Sequence, residues 1–538
     1  MKLNAVAGTQ TVLLGFDIPK SNVIGKGFMG FKVERTDSNG KTTLLNGMKR
    51  FASDDPKNPK QKLSPIQSYY WKDYTADPDC EYTYSVEALF GTWDSMKAAF
   101  KATINITTEP LHAGDQSVYF NYGVTGSQVY ARKFGNLAPI KQLTEAKKKA
   151  AFDFLGRELW KDGLLTFVAQ AKSKKHKLRC AFYEIEYPPF LEALAQARKR
   201  GAEIEIVYSA QASQKKHNEE ALKTAGLFDV SHPRTIVSQP HNKFMIFCEG
   251  DTPKQVWTGS TNITVRGIFG HSNTGHWIVD EAIAKKYFFY WELLKTNPAG
   301  KDMKERTEKI QADLDVADIK KGTSIIFSPR TSDRMLKTYV DMMRSAKQAM
   351  CVIYPFNIEK IFKDFYAEDQ EYLRFIITDK SGEKTDFVTN DRDVVRTCGA
   401  VLNRGEGRWA REITSKTTAQ ASTLYVHNKF FIVDPLGSNP LVVTGSANFS
   451  DESLKKNDEN TLVIKGNKRV ADIYFTEFAR MFDHFLPRYL HEIQKNKPNA
   501  PKRGFSKPLD ESGAWVDDYY DPNTLGCKRR LLFMKMAV

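Results

Sequence analysis

The sequence is poor in the features that mark redox, secreted and membrane-spanning proteins. Its six cysteines are scattered, and the closest two, Cys351 and Cys398, are 47 residues apart. This spacing excludes a CxxC metal knuckle or redox pair and predicts buried thiols in a reducing cytosol. No apolar run approaches the ~18 residues that a membrane span requires. The N-terminus lacks a secretory signal pattern, since its next apolar run covers only Val12 to Phe16. We therefore expect a cytoplasmic protein without a transmembrane segment.

The composition also excludes a disordered chain and gives an uneven charge. The chain has 538 residues, of which 41% are hydrophobic, and at ~150 residues per domain it predicts three or four structural units. Residues 1–120 carry 14 Lys/Arg against 13 Asp/Glu, whereas residues 121–538 carry 65 against 51. The excess of positive charge in the longer part suits an anionic partner such as nucleic acid, a phospholipid surface or a phosphorylated small molecule. On its own, it is equally compatible with charge that only confers solubility.

Two short motifs occur twice in the chain. His241-Asn242-Lys243-Phe244 recurs as His427-Asn428-Lys429-Phe430, and Gly259-Ser260-Thr261-Asn262 recurs as Gly445-Ser446-Ala447-Asn448, both at an offset of 186 residues. Within each copy the His and the Gly are 18 positions apart. Two motifs that keep one offset over such a distance predict a duplicated domain.

The segments around the motifs predict layers of helices and strands. Upstream of the first copy, residues 190–200 have a helical pattern and residues 204–208 read as a buried strand. The second copy has a helical pattern at 335–346 and apolar strands at 350–353 and 373–377. Alternating helices and buried strands indicate α/β architecture in both copies.

The first ~110 residues differ, because they alternate between polar and apolar residues and show little helical periodicity. This pattern predicts a β-sandwich, of the immunoglobulin or fibronectin type III kind. The predicted units are a β-sandwich at 1–112, a first repeat at 118–300, a second repeat at 320–494 and a C-terminal extension at 495–538. Prolines in the extension suggest an extended arm, and its Lys528-Arg529-Arg530 run reads as a solvated cluster.

The repeated residue types suit chemistry on a phosphoryl group. On a strand, residues two apart point to the same face, so His241 and Lys243 project together, as do His427 and Lys429. Imidazoles supply a nucleophile and a general acid, and lysines supply positive charge. The motif serines and asparagines add neutral donors for a tetrahedral oxyanion; the predicted phosphate-binding set is Ser260, Asn262, Ser446 and Asn448. No carboxylate cluster suited to Mg²⁺ accompanies the motifs, so we expect no metal and no cofactor, with the lysines in place of a metal.

These motifs resemble the HxKxxxxD and GSxN signatures of the phospholipase D superfamily. The second copy matches fully, at His427, Lys429, Asp434, Gly445, Ser446 and Asn448. The first copy matches except at Cys248, where Asp is expected. The resemblance covers roughly residues 120–490. It implies a pseudo-twofold pair of α/β/α repeats, here preceded by the small β-sandwich, that meet at one metal-independent active site with a phosphohistidine intermediate. It also implies a structural role for Asp434.

The resemblance further implies a partner for one of the histidines. Family members often carry an acid about 13 residues beyond the motif serine, bonded to the histidine; that position is Glu459 in the second copy and Asn273 in the first. We expect Glu459 to bond to His427, raise its pKa and keep it protonated as the general acid and base. His241, without an anionic partner, is then expected to be the nucleophile. Asn273 also reads as an ordinary loop residue. An amide in one half and Glu in the other is similar to the tyrosyl-DNA phosphodiesterase branch.

Three functions remain open at this point. The leading hypothesis is a phosphodiesterase that hydrolyses phospholipid head groups or transfers them to an alcohol, with a membrane surface or phospholipid as its partner. The first alternative is a metal-independent nuclease that uses the same site on nucleic acid. The second is a catalytically silent phosphate-binding protein, which complete motif sets in both copies disfavour. The sequence leaves the substrate class and the oligomeric state open.

Overall fold

The N-terminal part of the chain folds into two antiparallel sheets. The computed structural model describes residues 1–47, 49–54, 61, 63–135, 137, 143–389, 391–400, 426–495 and 508–535. Its first seven strands are β1 (Lys2–Ala7), β2 (Val12–Asp17), β3 (Phe28–Asp37), β4 (Thr42–Leu44), β5 (Tyr70–Asp73), β6 (Glu81–Thr92) and β7 (Ser95–Thr107). One sheet has the order β1-β2-β5 and the other β4-β3-β6-β7.

The two N-terminal sheets share one hydrophobic core. Leu14 and Phe16 enter this core from one sheet, and Phe31 and Tyr84 enter from the other. Residues of β6 alternate between buried and more exposed positions, as expected for a strand with one face on a core. Two antiparallel sheets around a shared core fit the β-sandwich predicted for residues 1–112. Its likeness to immunoglobulin or fibronectin type III domains stays a prediction.

Two further sheets of seven strands each follow. The first contains β8 (Gln116–Phe120), β9 (His176–Phe182), β10 (Glu203–Ser209), β11 (Ser231–Arg234), β12 (Lys243–Glu249), β13 (Thr252–Gly259) and β14 (Thr274–Val279). The second contains β15 (Gly322–Ser328), β16 (Ala349–Tyr354), β17 (Leu373–Thr378), β18 (Val394–Cys398), β19 (Phe430–Val433), β20 (Leu441–Gly445) and β21 (Glu459–Lys465).

Both sheets have the same strand order. The first runs β11-β10-β9-β12-β13-β14-β8, and the second runs β18-β17-β16-β19-β20-β21-β15. In each, three parallel strands lie beside four that pair antiparallel, with the junction at β9–β12 and β16–β19. The equivalence of all fourteen strands fits the duplication predicted from the 186-residue offset.

Helices cover the faces of both sheets. The α-helices are Ser127–Phe134, Glu145–Glu158, Thr166–Ala169, Pro188–Lys199, Ala212–Thr224, Glu281–Lys295, Gly300–Ile310, Arg334–Arg344, Lys360–Ala367, Asp451–Lys455, Lys468–Lys495 and Leu525–Phe533. Short 3₁₀-helices lie at Lys20–Asn22, Gly123–Gly126, Phe228–Val230, Val316–Asp318 and Ala514–Tyr519. Two π-helical segments lie at Leu159–Leu165 and Arg266–Gly270.

The two large sheets share a central layer. Tyr287 and Trp291 of one helix and Tyr474 and Phe478 of another belong to a core that also contains inner-face residues of both sheets, such as Phe430. The outer faces have separate cores, one for each half. The fold is therefore α/β, with two equivalent halves packed through common helices. No helix among the described residues is both long and apolar enough to cross a membrane.

The C-terminal segment differs from the predicted arm. Residues 496–507, including Pro498 and Pro501, lie outside the described residues. Residues 514–519 and 525–533 are helical, and Val516 is buried in the core of the β-sandwich. The predicted solvated cluster is wrong: Arg529 lies over the ring of Tyr70, and Arg530 forms an ion pair with Asp17 at 2.5 Å. These cations are held by the N-terminal domain, because aromatic rings and a carboxylate of that domain face them.

Candidate active site

The two motif histidines meet where the two halves contact each other. His241 precedes β12, and His427 precedes β19 by a similar distance. The backbone N–H of His241 donates to the carbonyl of Asp458 at 3.0 Å, and that of His427 donates to the carbonyl of Ser272 at 3.1 Å. Asp458 and Ser272 are themselves 186 positions apart. The same hydrogen bond therefore occurs twice, as a pseudo-twofold axis between the halves requires.

Both histidines line one cavity of about 880 Å³. Its wall also contains Asn262 and Asn448. The site thus contains His and Asn from both motifs of both halves. The remaining predicted residues are buried beside the cavity rather than on its wall: Lys243, Lys429, Ser260, Ser446 and Glu459.

The partners of the two histidines are exchanged relative to the prediction. Glu459 binds Nδ1 of His241, with both carboxylate oxygens at 2.9 and 3.0 Å, whereas Nδ1 of His427 lies 2.9 Å from Oδ1 of Asn273. The prediction that Glu459 bonds to His427 is therefore wrong. The reason is the pseudo-twofold axis: β21 begins at Glu459 and passes the histidine of the other half, and β14 does the same after Asn273.

Asn273 is a built part of the site and not an ordinary loop residue. It is fully buried. Its Nδ2 donates to the carbonyl of Gly267 at 2.7 Å, and its Oδ1 accepts from the hydroxyl of Ser260 at 2.8 Å. This orientation leaves Oδ1 to accept from Nδ1–H of His427. Glu459 likewise accepts from Nδ1–H of His241. In both rings the proton is therefore held on Nδ1, and Nε2 is left for a ligand.

Burial governs the protonation of the site. Burial lowers the pKa of His241 to about 4, although Glu459 opposes this shift. The pKa of His427 falls well below its ordinary value, first through burial and then through the nearby charge of Lys429. Burial lowers the pKa of Lys243 to about 8, and burial also lowers that of Lys429. An empty site therefore disfavours positive charge, and a bound anion would restore it.

The two lysines are positioned by the histidine segments themselves. Nζ of Lys243 donates to the carbonyl of His241 at 2.6 Å, and Nζ of Lys429 donates to the carbonyl of His427 at 2.8 Å. An ammonium group has three donors, so each lysine keeps further donors for an anion. The same contact in both halves places one lysine beside each imidazole.

The motif asparagines and serines differ in their placement. Oδ1 of Asn262 and Oδ1 of Asn448 have no hydrogen-bond partner among the described residues, while Nδ2 of Asn262 donates to the carboxylate of Glu184. The unpartnered atoms are acceptors, so the contact of these asparagines with phosphate stays a prediction. The hydroxyls of Ser260 and Ser446 instead accept the backbone N–H groups of Thr274 and Asn460, both at 3.0 Å. The serines thus fix the start of β14 and β21, and their contact with phosphate stays a prediction.

Asp434 and Cys248 occupy equivalent positions with different surroundings. The carboxylate of Asp434 accepts the backbone N–H groups of Lys347, Gln348 and Ala349 at 2.7–3.2 Å. Asp434 itself is left-handed, at φ 46°. Cys248 is buried within β12 beside an irregularity in the pairing with β13. The carboxylate of Asp434 therefore binds a chain turn, as a structural role requires, and the first half dispenses with it.

Several cavity residues were missed by the sequence reasoning. Carboxylates of Glu184, Glu186, Glu359 and Glu452 and the rings of Tyr183, Tyr187 and Phe356 line the cavity. His271 and Asn457, which are 186 positions apart, also line it. The offset could have revealed this last pair, whereas the aromatic and acidic wall has no motif. Among the described residues, no group of three or more His, Cys, Asp and Glu is arranged to hold a metal ion.

Comparison with known proteins establishes the family. Residues 165–291 and 339–482, about half of the chain together, match the family model described as "Cardiolipin synthase, PLD-like domain". The chain belongs to the phospholipase D superfamily. This membership supports activity of the phosphodiesterase type.

Individual relatives of the superfamily match over shorter stretches or at low identity. The mouse mitochondrial cardiolipin hydrolase is 32% identical over 74 residues, which cover 14% of this chain and 31% of that protein. Phosphatidylserine synthase of Haemophilus influenzae Rd KW20 has a TM-score of 0.43 at 11% identity, covering 70% of this chain and 93% of that chain. Yeast tyrosyl-DNA phosphodiesterase has a TM-score of 0.32 at 11% identity, covering 55% and 85%.

Proposed function

We propose that this protein is a metal-independent phosphodiesterase that cleaves phospholipid head groups through a phosphohistidine on His241. The observation that carries this proposal is the pair of motif histidines, one from each half, in a single cavity with different Nδ1 partners. The carboxylate on His241 stabilises the positive charge that its ring acquires when Nε2 forms a bond to phosphorus, as the Asp does for the His of a catalytic triad. His241 thus remains the proposed nucleophile, for a reason opposite to the one predicted from the sequence.

The first step forms one bond and breaks one. Nε2 of His241 attacks phosphorus, and the bond from phosphorus to the leaving alcohol breaks. Nε2–H of His427 gives its proton to the leaving oxygen, so that the alcohol departs neutral and His427 becomes a neutral base. Lys243 and Lys429 balance the charge on the other phosphoryl oxygens without a metal ion. Before the step, His427 takes up a proton from solvent on Nε2, and the negative charge of the bound diester stabilises the resulting imidazolium.

The second step reverses these proton movements. His427 accepts a proton from water, or from an alcohol in a transfer reaction, while the oxygen attacks phosphorus. The bond from phosphorus to Nε2 of His241 breaks, and His241 returns to its neutral form. The product is the phosphomonoester or, with an alcohol, a new diester. His241 therefore forms the covalent bond to phosphorus, while His427 donates a proton in the first step and accepts one in the second.

The cavity wall supports a phospholipid substrate over a nucleic acid. Glutamates at positions 184, 186, 359 and 452 line the cavity beside three aromatic rings. Among the described lining residues, Arg266, His217 and His271 are the side chains other than His241 and His427 that carry, or can carry, positive charge. Carboxylates and aromatic faces suit the cationic alcohol of a zwitterionic diester and repel the neighbouring phosphates of a polynucleotide. The excess charge of residues 121–538 remains the argument for nucleic acid.

An assay of substrate class in chelator tests this function. Purified protein in EDTA is incubated with phosphatidylcholine vesicles and, separately, with single- and double-stranded DNA. We expect choline release in EDTA and none from the variant that carries both His241→Ala and His427→Ala. Release of nucleotides without choline would replace the lipid proposal with the nuclease alternative. Activity that disappears in EDTA and returns with Mg²⁺ or Zn²⁺ would contradict the mechanism.

A further inference from the structure

Beside the two motif histidines, His271 lies on the cavity wall, and the other half has an asparagine at the equivalent position. His271 occupies the position that corresponds, at the 186-residue offset, to Asn457. His271 immediately precedes Ser272, whose carbonyl accepts the backbone N–H of His427. Asn457 immediately precedes Asp458, whose carbonyl accepts the backbone N–H of His241. His271 therefore belongs to the side of the site where His427 lies.

The imidazole of His271 lies near that of His427, but one of its nitrogens lacks a hydrogen-bond partner. Its Nε2 is buried and has no hydrogen-bond partner among the described residues. Its ring centroid is 5.5 Å from that of His427. A buried polar atom without a partner costs free energy, so its persistence at a cavity wall suggests a ligand that completes it.

The main chain of His271 is held rigidly. Its N–H donates to the carbonyl of Arg266 at 2.8 Å, and its own carbonyl accepts from Nδ2 of Asn121 at 2.6 Å. Glycine at 123 permits close approach to the same carbonyl, since a Cβ there would lie 2.6 Å from it. Burial, together with the charges of Lys429 and Arg266, lowers the pKa of His271 to about 3. The main chain at His271 is thus fixed, and the lowered pKa favours the neutral ring.

The direction of attack determines which part of the substrate His271 faces. Displacement at phosphorus runs in line, so the leaving oxygen departs on the side opposite the attacking nitrogen. With His241 as the attacking residue, that side is the one of His427 and His271. We propose that His271 is a further catalytic residue, whose Nε2–H donates a hydrogen bond to the leaving oxygen while His427 protonates it. This inference rests on the proposed function and adds no covalent step to it.

If His271 donates to the leaving oxygen, the loss of activity on removing it should depend on the leaving group. A donor aimed at developing negative charge contributes most when the leaving alcohol is a poor one. We therefore expect His271→Phe, which keeps a ring but no donor, to lower kcat by about 100-fold for an alkyl leaving group. For 4-nitrophenolate, which departs without assistance, the loss should stay within about threefold. His271→Asn, which copies the residue of the other half, should give an intermediate loss because an amide can still donate.

The experiment uses hexadecyl phosphodiesters of choline, phenol and 4-nitrophenol. Rates are compared for the wild-type protein, His271→Phe, His271→Asn and the control His232→Asn, whose histidine pairs with Glu205 outside the cavity. A loss that grows from nitrophenol to choline supports the role. Equal losses for all three leaving groups, or no loss, would refute it while leaving the proposed function intact. Failure of the wild-type protein on all three diesters would remove both. If His271→Phe does not fold, as judged by its melting curve, His271→Asn decides by the same criterion.

Discussion

At the residue scale, the two imidazoles of the site receive different chemical support. Glu459 adds a full negative charge to His241, whereas Asn273 adds only an amide oxygen to His427. Each partner belongs to the half opposite its histidine, so neither half contains a complete site. The division of labour between nucleophile and acid is therefore a property of the contact between the halves.

Trapping the covalent intermediate tests that division directly. His241→Ala removes the proposed nucleophile, so no adduct is expected with any substrate. His427→Ala removes the acid and base but leaves the nucleophile. With a nitrophenyl phosphodiester, whose leaving group needs no proton, this variant should accumulate an acid-labile phosphoryl adduct on His241. Mass spectrometry of the quenched protein locates the adduct. An adduct on His427 in the His241→Ala variant would reverse the two roles.

The carboxylate on His241 predicts the effect of Glu459→Gln on the attack step. A neutral amide still accepts from Nδ1–H but stabilises the cationic ring less. Hydrogen bonds to charged groups contribute about 1.5–3 kcal/mol, so adduct formation should slow by about 10–100-fold. Single-turnover release of nitrophenol measures this step, with Asn273→Ala as the comparison. A larger effect of Asn273→Ala than of Glu459→Gln on the same step would contradict the assignment.

The spacing of the motifs predicted these residues but not their pairing. The 186-residue offset was sufficient to find both histidines and both lysines, whereas Glu459 came from the family resemblance and the offset then gave Asn273. The offset compares one copy with the other, however, and does not show that each histidine is bonded by a residue of the opposite half. His271 and the acidic wall were missed for a related reason, because their meaning depends on which residue of the other half they face.

At the element scale, the start of β16 is held by a side-chain contact that the first half lacks. Asp434 binds three backbone N–H groups where the chain enters β16. The first half has a thiol at that position inside a strand. The helices predicted at 190–200 and 335–346 and the strands predicted at 204–208, 350–353 and 373–377 are present, with boundaries within a few residues. The helices of the C-terminal segment were not predicted, since their apolar side chains are few and find their partners in a domain more than 400 residues away in sequence.

The turn held by Asp434 provides a stability prediction. Asp434→Ala removes all of the acceptors and puts a residue with a Cβ but no side-chain hydrogen bond in a left-handed conformation. We expect the free energy of unfolding to fall by about 1–3 kcal/mol. Asp434→Asn, which tolerates that conformation and keeps one acceptor, should lose less. Urea denaturation measures both variants. An Asn variant less stable than the Ala variant would show that the carboxylate does not act through these N–H groups.

At the scale of the whole molecule, the N-terminal domain and the two halves are joined by polar contacts. Thr9 and Gln10 donate to the buried carboxylate of Glu158 in the first half. Thr11 donates to Glu477 in the helix that both halves share, and Glu477 also pairs with Arg157 at 2.8 Å. These contacts connect three predicted units that the sequence presents as separate. The cavity therefore lies within one interlocked body rather than between independent domains.

Buried histidines distributed through this body predict sensitivity to acid. Burial lowers the pKa of His241 to about 4 and those of His271 and His276 to about 3. In the unfolded chain all three have pKa values near 6.5. Their contribution to stability is thus complete above pH 6.5 and is lost as the pH falls towards the folded values, because the unfolded chain binds more protons. The raised pKa of Asp458, about 6, opposes this trend over a narrower range.

The free energy of unfolding should therefore fall between pH 7.5 and pH 5.5. Each of these histidines accounts for about 1.4 kcal/mol at one pH unit below 6.5. His276 separates this effect from the active site, since its ring nitrogens face Tyr474 and Gln116. In His276→Gln the decrease in the free energy of unfolding should be smaller than in the wild-type protein by about 1.4 kcal/mol. Urea denaturation of both proteins at the two pH values measures the difference.

A decrease of equal size in both, or a wild-type protein that is more stable at pH 5.5, would contradict the prediction. The first outcome would mean that His276 takes up its proton without unfolding, and the second that buried carboxylates such as Asp458 dominate the acid response.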